Sequence, residues 1–356
     1  EAEPLTTGYR TRTLVRMRRV EGRLMFGFFA PGTFDLVTPP QGCVVQHPRV
    51  ESLLGRLRGV LDASGLSAWN GAGDDGLLRA ALLRVDPSAP SIPVLLTLVV
   101  GQLTPAVEAV ARELLKVPGI GGVFASVNPS DGGAVLGDSL IHLGGAARQV
   151  FQVGAPVGQA PVGGLVAGTP LALGPTAFLQ TRHDAGDTLV ATVGRLLPGR
   201  MKHLVDAYAG VGVFAFAFRG RAARITAVEI HPAAVVDILY NAAALEAHQI
   251  APFEGDAADG LRAAIRSGGV DAVILDPPRS GCRPAVLEAC DDLPLGTCLI
   301  YVSCGPAALA RDLEVLAAQG WRATDVVPVD MFPHTPHLET VLRLARTARV
   351  ADNPLI

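Results

Sequence analysis

The chain has 356 residues, a formal net charge of -3, and is 49% apolar but only 5% aromatic. That length suffices for two hydrophobic cores, and the near-neutral balance argues against a protein that holds nucleic acid by overall basic charge, while leaving room for a local basic face. Its five cysteines (43, 282, 290, 298 and 304) show no CxxC or disulfide-framework spacing, which fits a reduced, cytoplasmic setting, and the longest apolar stretch, 93–103, is too short to span a bilayer.

Residues 8–48 alternate charged and apolar positions and predict antiparallel strands with turns near Gly22 and Gly32. Arg10, Arg12, Arg16, Arg18, Arg19 and Arg23 crowd this segment and read equally as solvated strand faces or as an RNA contact. Helical spacing follows at 50–64. Strands are expected at 77–83 and 94–100, joined by the turn Asp86-Pro-Ser-Ala-Pro. A helix over 104–115 has Thr104 as N-cap and Pro105 in its first turn, and a strand follows at 122–127. The stretch 152–175 is rich in Gly, Pro, Ala and Val and sets the expected crossing between a smaller α+β central domain, 1–165, and a second domain, 166–356.

From residue 176 onward helices and strands alternate, the signature of a doubly wound, mostly parallel α/β sheet of Rossmann-like type. Its strands fall at 204–208, 224–229, near Phe253, at 271–275 and at 298–303, with a last antiparallel pair near 324–329 and 339–346. Asp206-Ala-Tyr208-Ala-Gly210-Val-Gly212 follows the first of these strands and opens a helix, so its glycines let backbone approach a ligand. Glu229 ends the next strand, where a carboxylate can take both hydroxyls of a ribose, and Asp256 lies one strand further, suitably placed for an adenine amino group. Without the third glycine of dinucleotide binders, this series fits S-adenosylmethionine better than NAD. The plainer reading is that Glu229 and Asp256 cap helices.

Asp276-Pro277-Pro278-Arg279-Ser280-Gly281 follows a buried strand, which delivers Asp276 to the crevice above the sheet. An ionised Asp276 can accept a hydrogen bond from the N3–H of a uracil. Cys304, in Tyr301-Val-Ser-Cys304-Gly-Pro306, ends another apolar run, and Glu339 follows in His334-Thr335-Pro336-His337-Leu338-Glu339. A thiol nucleophile and a separate carboxylate base are what covalent chemistry on a pyrimidine ring requires.

DAYAGVGVF, VEIHP, GDAADGL, DPPRSG, YVSCGPAALARDL and DMFPHTPHLE, in that order, resemble the motif series of the RNA 5-methyluridine (uracil-C5) methyltransferases. These are the S-adenosylmethionine-dependent enzymes that methylate uridine C5 in tRNA or 23S rRNA. The resemblance runs from about Gly8 to Leu344. It implies a Rossmann-like catalytic domain, S-adenosylmethionine as cofactor and an RNA partner; a monomer is expected. It implies Cys304 as nucleophile, Glu339 as general base, and Gln180, Tyr208, Glu229, Asp256 and Asp276 at the cofactor and base-binding site. Arg279 or a backbone donor is expected to stabilise the enolate oxygen, and an electropositive loop to favour the Cys304 thiolate. Departures stand at Ala209, Val213, Gly305 and Arg182, where the family often has other residues. Some members bind a [4Fe–4S] cluster through four cysteines. Cys43 matches the fourth and could serve only in a longer form that supplies the other three.

Two other readings compete. Cytosine-C5 RNA methyltransferases carry a cysteine where this chain has Pro278 and Arg279, and Cys282 falls a few residues too late. A non-catalytic RNA-binding protein on a methyltransferase scaffold would not need Cys304 and Glu339 intact.

Overall fold

The structure is a computed structural model that describes residues 6–346 except 31, 40, 41, 72, 75, 88, 90, 131–134, 154–167, 181, 182 and 336. Arg182, Pro336 and most of the 152–175 stretch therefore lie outside the described residues. The chain divides into two compact units, Glu3–Phe151 with Ala172–Thr176, and Gln152–Leu171 with Ala177–Ile356.

In the N-terminal unit, β1 (Arg12–Val20) and β2 (Arg23–Phe29) form a hairpin paired from Val20↔Arg23 onward. Its two-residue turn, Glu21-Gly22, has both φ angles positive (51° and 79°), which matches the twist of the flanking strands. β3 (Leu36–Val37) precedes α1 (Pro48–Ala63), whose first turn is set by Pro48 and by His47, its side chain accepting from Arg49 N–H. β4 (Leu78–Arg84), β5 (Val94–Val100), α2 (Pro105–Leu114), β6 (Ile120–Val127) and β7 (Ser139–Gly145) complete the unit. Among the described residues these strands make a seven-stranded sheet in the order β3-β2-β1-β4-β5-β6-β7. The β5–β6 pair is parallel, with α2 as its crossover. Leu53, Leu57 and Leu61 of α1 and Val107, Ala111 and Leu114 of α2 bury against Val15, Met17, Leu96 and Leu98 of the sheet.

By strand alternation, Arg12, Arg16 and Arg18 take the other face. Arg16 and Arg18 lie over the Phe29 ring (4.8 and 5.3 Å), and Arg18 also over Trp69 (5.7 Å). Arg19 donates to Leu66 O (3.0 Å) and pairs with Asp62 (3.1 Å). Arg16, Arg18 and Arg19 thus have partners within their own unit.

β8 (Gln149–Val153) and β9 (Thr169–Leu173) form a two-stranded sheet. The C-terminal unit then runs α3 (His183–Leu196), β10 (Met201–Ala207), α4 (Val213–Ala217), β11 (Ala222–Glu229), α5 (Pro232–Ala244), β12 (Ile250–Glu254), α6 (Ala257–Ser267), β13 (Val270–Leu275), α7 (Pro284–Asp291), β14 (Cys298–Ser303), α8 (Pro306–Ala318), β15 (Trp321–Val329) and β16 (Glu339–Arg346). Its strands order as β12-β11-β10-β13-β14-β16-β15. The pairs from β12 to β14 are parallel, and β16 is antiparallel to both β14 and β15. The chain steps outward from β10 in both directions, so β10 and β13 flank the topological switch point, where such folds bind ligands. Gly260 lets α6 lie close on β11: a Cβ there would sit 2.4 Å from a Val228 methyl.

Candidate active site

The carboxyl ends of β10, β13 and β14 are in register, Ala207 beside Leu275 and Leu275 beside Tyr301. The residues that follow, Tyr208, Asp276 and Cys304, therefore emerge along one edge of the sheet. The antiparallel pair Ser303↔Thr340 brings the next residue on each strand, Cys304 and Glu339, to adjoining chain positions.

The turn after β10 holds three left-handed residues, Tyr208 (φ 69°), Gly210 (φ 56°) and Gly212 (φ 82°). A Cβ on Gly210 would meet nothing within 4 Å, so the space above the turn is open; one on Gly212 would lie 3.1 Å from the Phe216 ring. Glu229 is buried and holds this turn, its Oε2 accepting from Gly210 N–H and its Oε1 from His231 N–H, both at 2.8 Å. Asp256 caps α6 by accepting from Ala258 N–H at 2.9 Å and is paired with Arg283 Nη1 at 2.5 Å. Asp256 thus does carry the plainer capping role, whereas Glu229 ties the glycine turn to the chain entering α5, where His231 is the N-cap; each carboxylate keeps lone pairs for a further donor. Gln180 packs on Gly186 in the first turns of α3, its Cβ 3.4 Å from where a Gly186 Cβ would stand. Tyr208 turns its hydroxyl into the interior beside Cys282, and burial raises its pKa above the ordinary phenol range.

Asp206, which the sequence shows only as the start of the glycine turn, is fully buried. Its Oδ2 accepts from Ala215 N–H at 3.0 Å, while its Oδ1 has no partner among the described residues. Burial, with the nearby Glu229 charge, pushes this carboxyl up to about 7. Asp276 rises to about 8 through burial, with the charges of Glu339 and Asp206 adding to it. Glu339 is 4% exposed and rises to about 7 through burial, opposed by the charge of Arg279. Its carboxyl takes no hydrogen bond among the described residues. The site is therefore a group of interacting carboxyls poised around neutral pH, and the expectation of a simply ionised Asp276 does not hold for it.

The half-buried Cys304 also departs from expectation. Burial raises its thiol pKa, Glu339 and Asp276 raise it further, and Arg279 opposes them. The exposed Arg279 does not outweigh desolvation and two adjacent carboxyls, so the loop does not by itself favour a thiolate. Gly305 keeps the Arg279 loop close to the thiol strand: a Cβ there would lie 3.1 Å from Arg279 O. Cys282, Cys290 and Cys298 are buried, and burial lifts the first to about 12. Cys43 belongs to the other unit, where its N–H donates to Glu51 at 3.1 Å. Among the described residues no three His, Cys, Asp or Glu side chains group as a metal site, and no helix is long and apolar enough to cross a membrane.

A thiol, a buried carboxyl near neutrality and a glycine turn backed by an acidic residue, all at the switch edge of this sheet, define a Rossmann-like methyltransferase. Residues 175–347 match the model of the family described as tRNA (Uracil-5-)-methyltransferase. A protein named an uncharacterized RNA methyltransferase in Parasynechococcus marenigrum is 31% identical, covering 96% of this chain and 71% of the relative. A similarly named protein of Bacillus cereus is 28% identical, covering 96% of this chain and 71% of its own length. Among solved structures, the Pyrococcus abyssi tRNA (uracil-54, C5)-methyltransferase in complex with S-adenosyl-L-homocysteine has the same fold, with a TM-score of 0.73 at 24% identity over 96% of this chain and 77% of that one. The chain belongs to the tRNA (uracil-5-)-methyltransferase family and is an RNA methyltransferase.

Proposed function

We propose that the enzyme transfers a methyl group from S-adenosylmethionine to C5 of a uridine in tRNA or 23S rRNA, with Cys304 as nucleophile and Glu339 as general base. The observation that carries this reading is the β14–β16 register, which sets the thiol and the buried carboxyl on neighbouring strands at the end of the sheet. The cofactor fits the residues present. Gly210 leaves open space above a turn tied to Glu229, and Asp206, two residues before Tyr208, keeps a buried Oδ1 without a partner among the described residues. Gln180, Tyr208, Gly210, Glu229 and Asp256 would hold it, Glu229 toward the ribose and Asp256 toward the adenine. When bound, S-adenosylmethionine supplies an electrophilic methyl on a cationic sulfonium.

Uracil C5 is a weak nucleophile. Addition of the Cys304 thiolate to C6 moves the C5–C6 electron pair onto C5 and O4, and C5 can then take the methyl. Glu339 removes the C5 proton, the pair returns to C5–C6, and the C6–S bond breaks to release the thiolate. Neutral Asp276 donates to a base oxygen, or ionised Asp276 accepts from N3–H. Arg279, beside both Cys304 and Glu339, is the cation available to the enolate oxygen. The edge of a base pair does not reach a sheet-end crevice, so the uridine is taken unstacked.

The test is methyl transfer to unmodified tRNA and 23S rRNA transcripts, with 5-methyluridine located in each. Cys304→Ala should bring turnover to background while S-adenosylhomocysteine still binds. Retained turnover would remove Cys304 from the mechanism.

A further inference from the structure

Asp312, in the second turn of α8, is fully buried, touches neither the glycine turn nor the thiol, and has no part in the chemistry above. It nevertheless accepts four hydrogen bonds. Its Oδ2 accepts from Cys282 N–H at 2.7 Å and from the Tyr301 hydroxyl at 2.6 Å. Its Oδ1 accepts from Arg311 Nε at 3.0 Å and Nη2 at 2.7 Å, and the same Nη2 reaches Ser280 O at 2.7 Å. Two of these partners lie in the loop that begins at Asp276 and carries Arg279. Tyr301 lies three residues before Cys304 on β14. The site is built for this approach: Gly281 has φ 82°, and a Cβ on it would fall 2.5 Å from Arg311 Nη2 and 2.6 Å from Asp312 Oδ2. No other residue type lets the loop close on this carboxylate.

We infer that Asp312 is a positioning residue for methyl transfer, a buried anion that clamps the substrate-facing loop 276–282 to the strand that presents Cys304. A carboxylate with four donor atoms is held in one geometry. Two of them, the Cys282 N–H and the Tyr301 hydroxyl, come from the substrate-facing loop and from the strand that presents Cys304, while Arg311 of α8 supplies the other two. The distance between Cys304 and the Asp276–Arg279 segment is set through this clamp, and a displacement of about 1 Å at reacting groups can cost on the order of 100-fold in rate. The inference rests on the proposed roles of Cys304 and of the Asp276 loop.

Asp312→Asn and Tyr301→Phe test it, the second removing a single hydroxyl. Both are compared with the wild type for melting temperature, S-adenosylhomocysteine affinity, kcat and KM on unmodified tRNA and 23S rRNA transcripts. Folded variants with kcat lowered about 10- to 100-fold, and with KM and cofactor affinity within about threefold, are expected. A kcat within about threefold of wild type in the folded variants, or a fall matched by loss of folded protein, overturns the inference. If Asp312→Asn does not fold, Tyr301→Phe and Arg311→Gln decide by the same criteria. Cys304→Ala run alongside separates the two claims: its activity would sink the nucleophile reading, whereas a normal kcat in Tyr301→Phe and Arg311→Gln would sink the clamp alone.

Discussion

Glu339→Gln should make the protein more stable and less active, and the gain in stability should grow with pH. Burial moves the Glu339 carboxyl from an ordinary 4.5 to about 7. The folded state therefore binds this proton more tightly than the unfolded chain does. Below pH 4.5 both states are protonated and nothing is lost. As pH rises from 4.5 to 7 the unfolded chain ionises first, and the folded state loses about 1.4 kcal/mol per pH unit, about 3 kcal/mol in total above pH 7. Glutamine has the same shape and no charge to desolvate. The variant should exceed wild type by only about 1 kcal/mol at pH 5 and by about 3 kcal/mol at pH 8, the latter roughly 6–12 °C in melting temperature for a unit of this size. Removing the Glu339 charge also lowers the Asp276 and Cys304 pKa values, because that charge raises both. Cys304 should then alkylate faster with iodoacetamide at pH 8, read from its peptide by mass spectrometry. Urea unfolding followed by circular dichroism from pH 5 to 8 is the assay. A stability difference that does not grow with pH, or a variant less stable than wild type at pH 8, would refute the desolvation argument.

Other consequences are open to measurement. The neutral analogue S-adenosylhomocysteine and the cationic S-adenosylmethionine should diverge in affinity as pH rises through 7 to 8, the cation gaining as Glu339 and Asp276 ionise; calorimetry showing parallel pH profiles would contradict this. Glu229→Gln loses the charge-assisted bonds to Gly210 and His231. It should weaken S-adenosylhomocysteine binding about 10-fold or more, from about 1.5–3 kcal/mol of lost interaction, and unchanged affinity would remove Glu229 from the cofactor floor. Gly260→Ala places a methyl 2.4 Å from Val228 and should cost about 1–3 kcal/mol in urea unfolding, whereas an unchanged midpoint would mean that α6 can move away from β11.

Much of the catalytic unit was legible in the chain. Five parallel strands are short β-branched or apolar runs bounded by turn residues, and a run such as Val270–Leu275 has one physical reading between two helical patterns. The motif residues emerge where those runs end, so locating the strands located Asp276, Cys304 and Glu229. Strand β7 (Ser139–Gly145) was not legible, because Ser-Leu-Ile-His-Leu-Gly-Gly alternates weakly and it lies at the edge of its sheet. Arg16 and Arg18 read as free charge in one dimension, whereas Phe29 and Trp69 stack beneath them in three. Electrostatics was the least legible property. The direction of the Cys304 shift follows from its burial first and then from how Glu339, Asp276 and Arg279 converge, and no local pattern encodes that sum. Asp312 shows the same limit, since the donors from Cys282 and Tyr301 are 30 and 11 residues away.

The central claim is a covalent bond between Cys304 and the C6 of a uridine. RNA carrying 5-fluorouridine tests it most directly, because C5 then bears no proton for Glu339 to remove and the adduct cannot eliminate. Incubation with S-adenosylmethionine, digestion and mass spectrometry should return a methylated fluorouridine attached to the Cys304 peptide, and none with Cys304→Ala. An adduct on another residue, or 5-methyluridine formed by Cys304→Ala from ordinary RNA, would contradict the account.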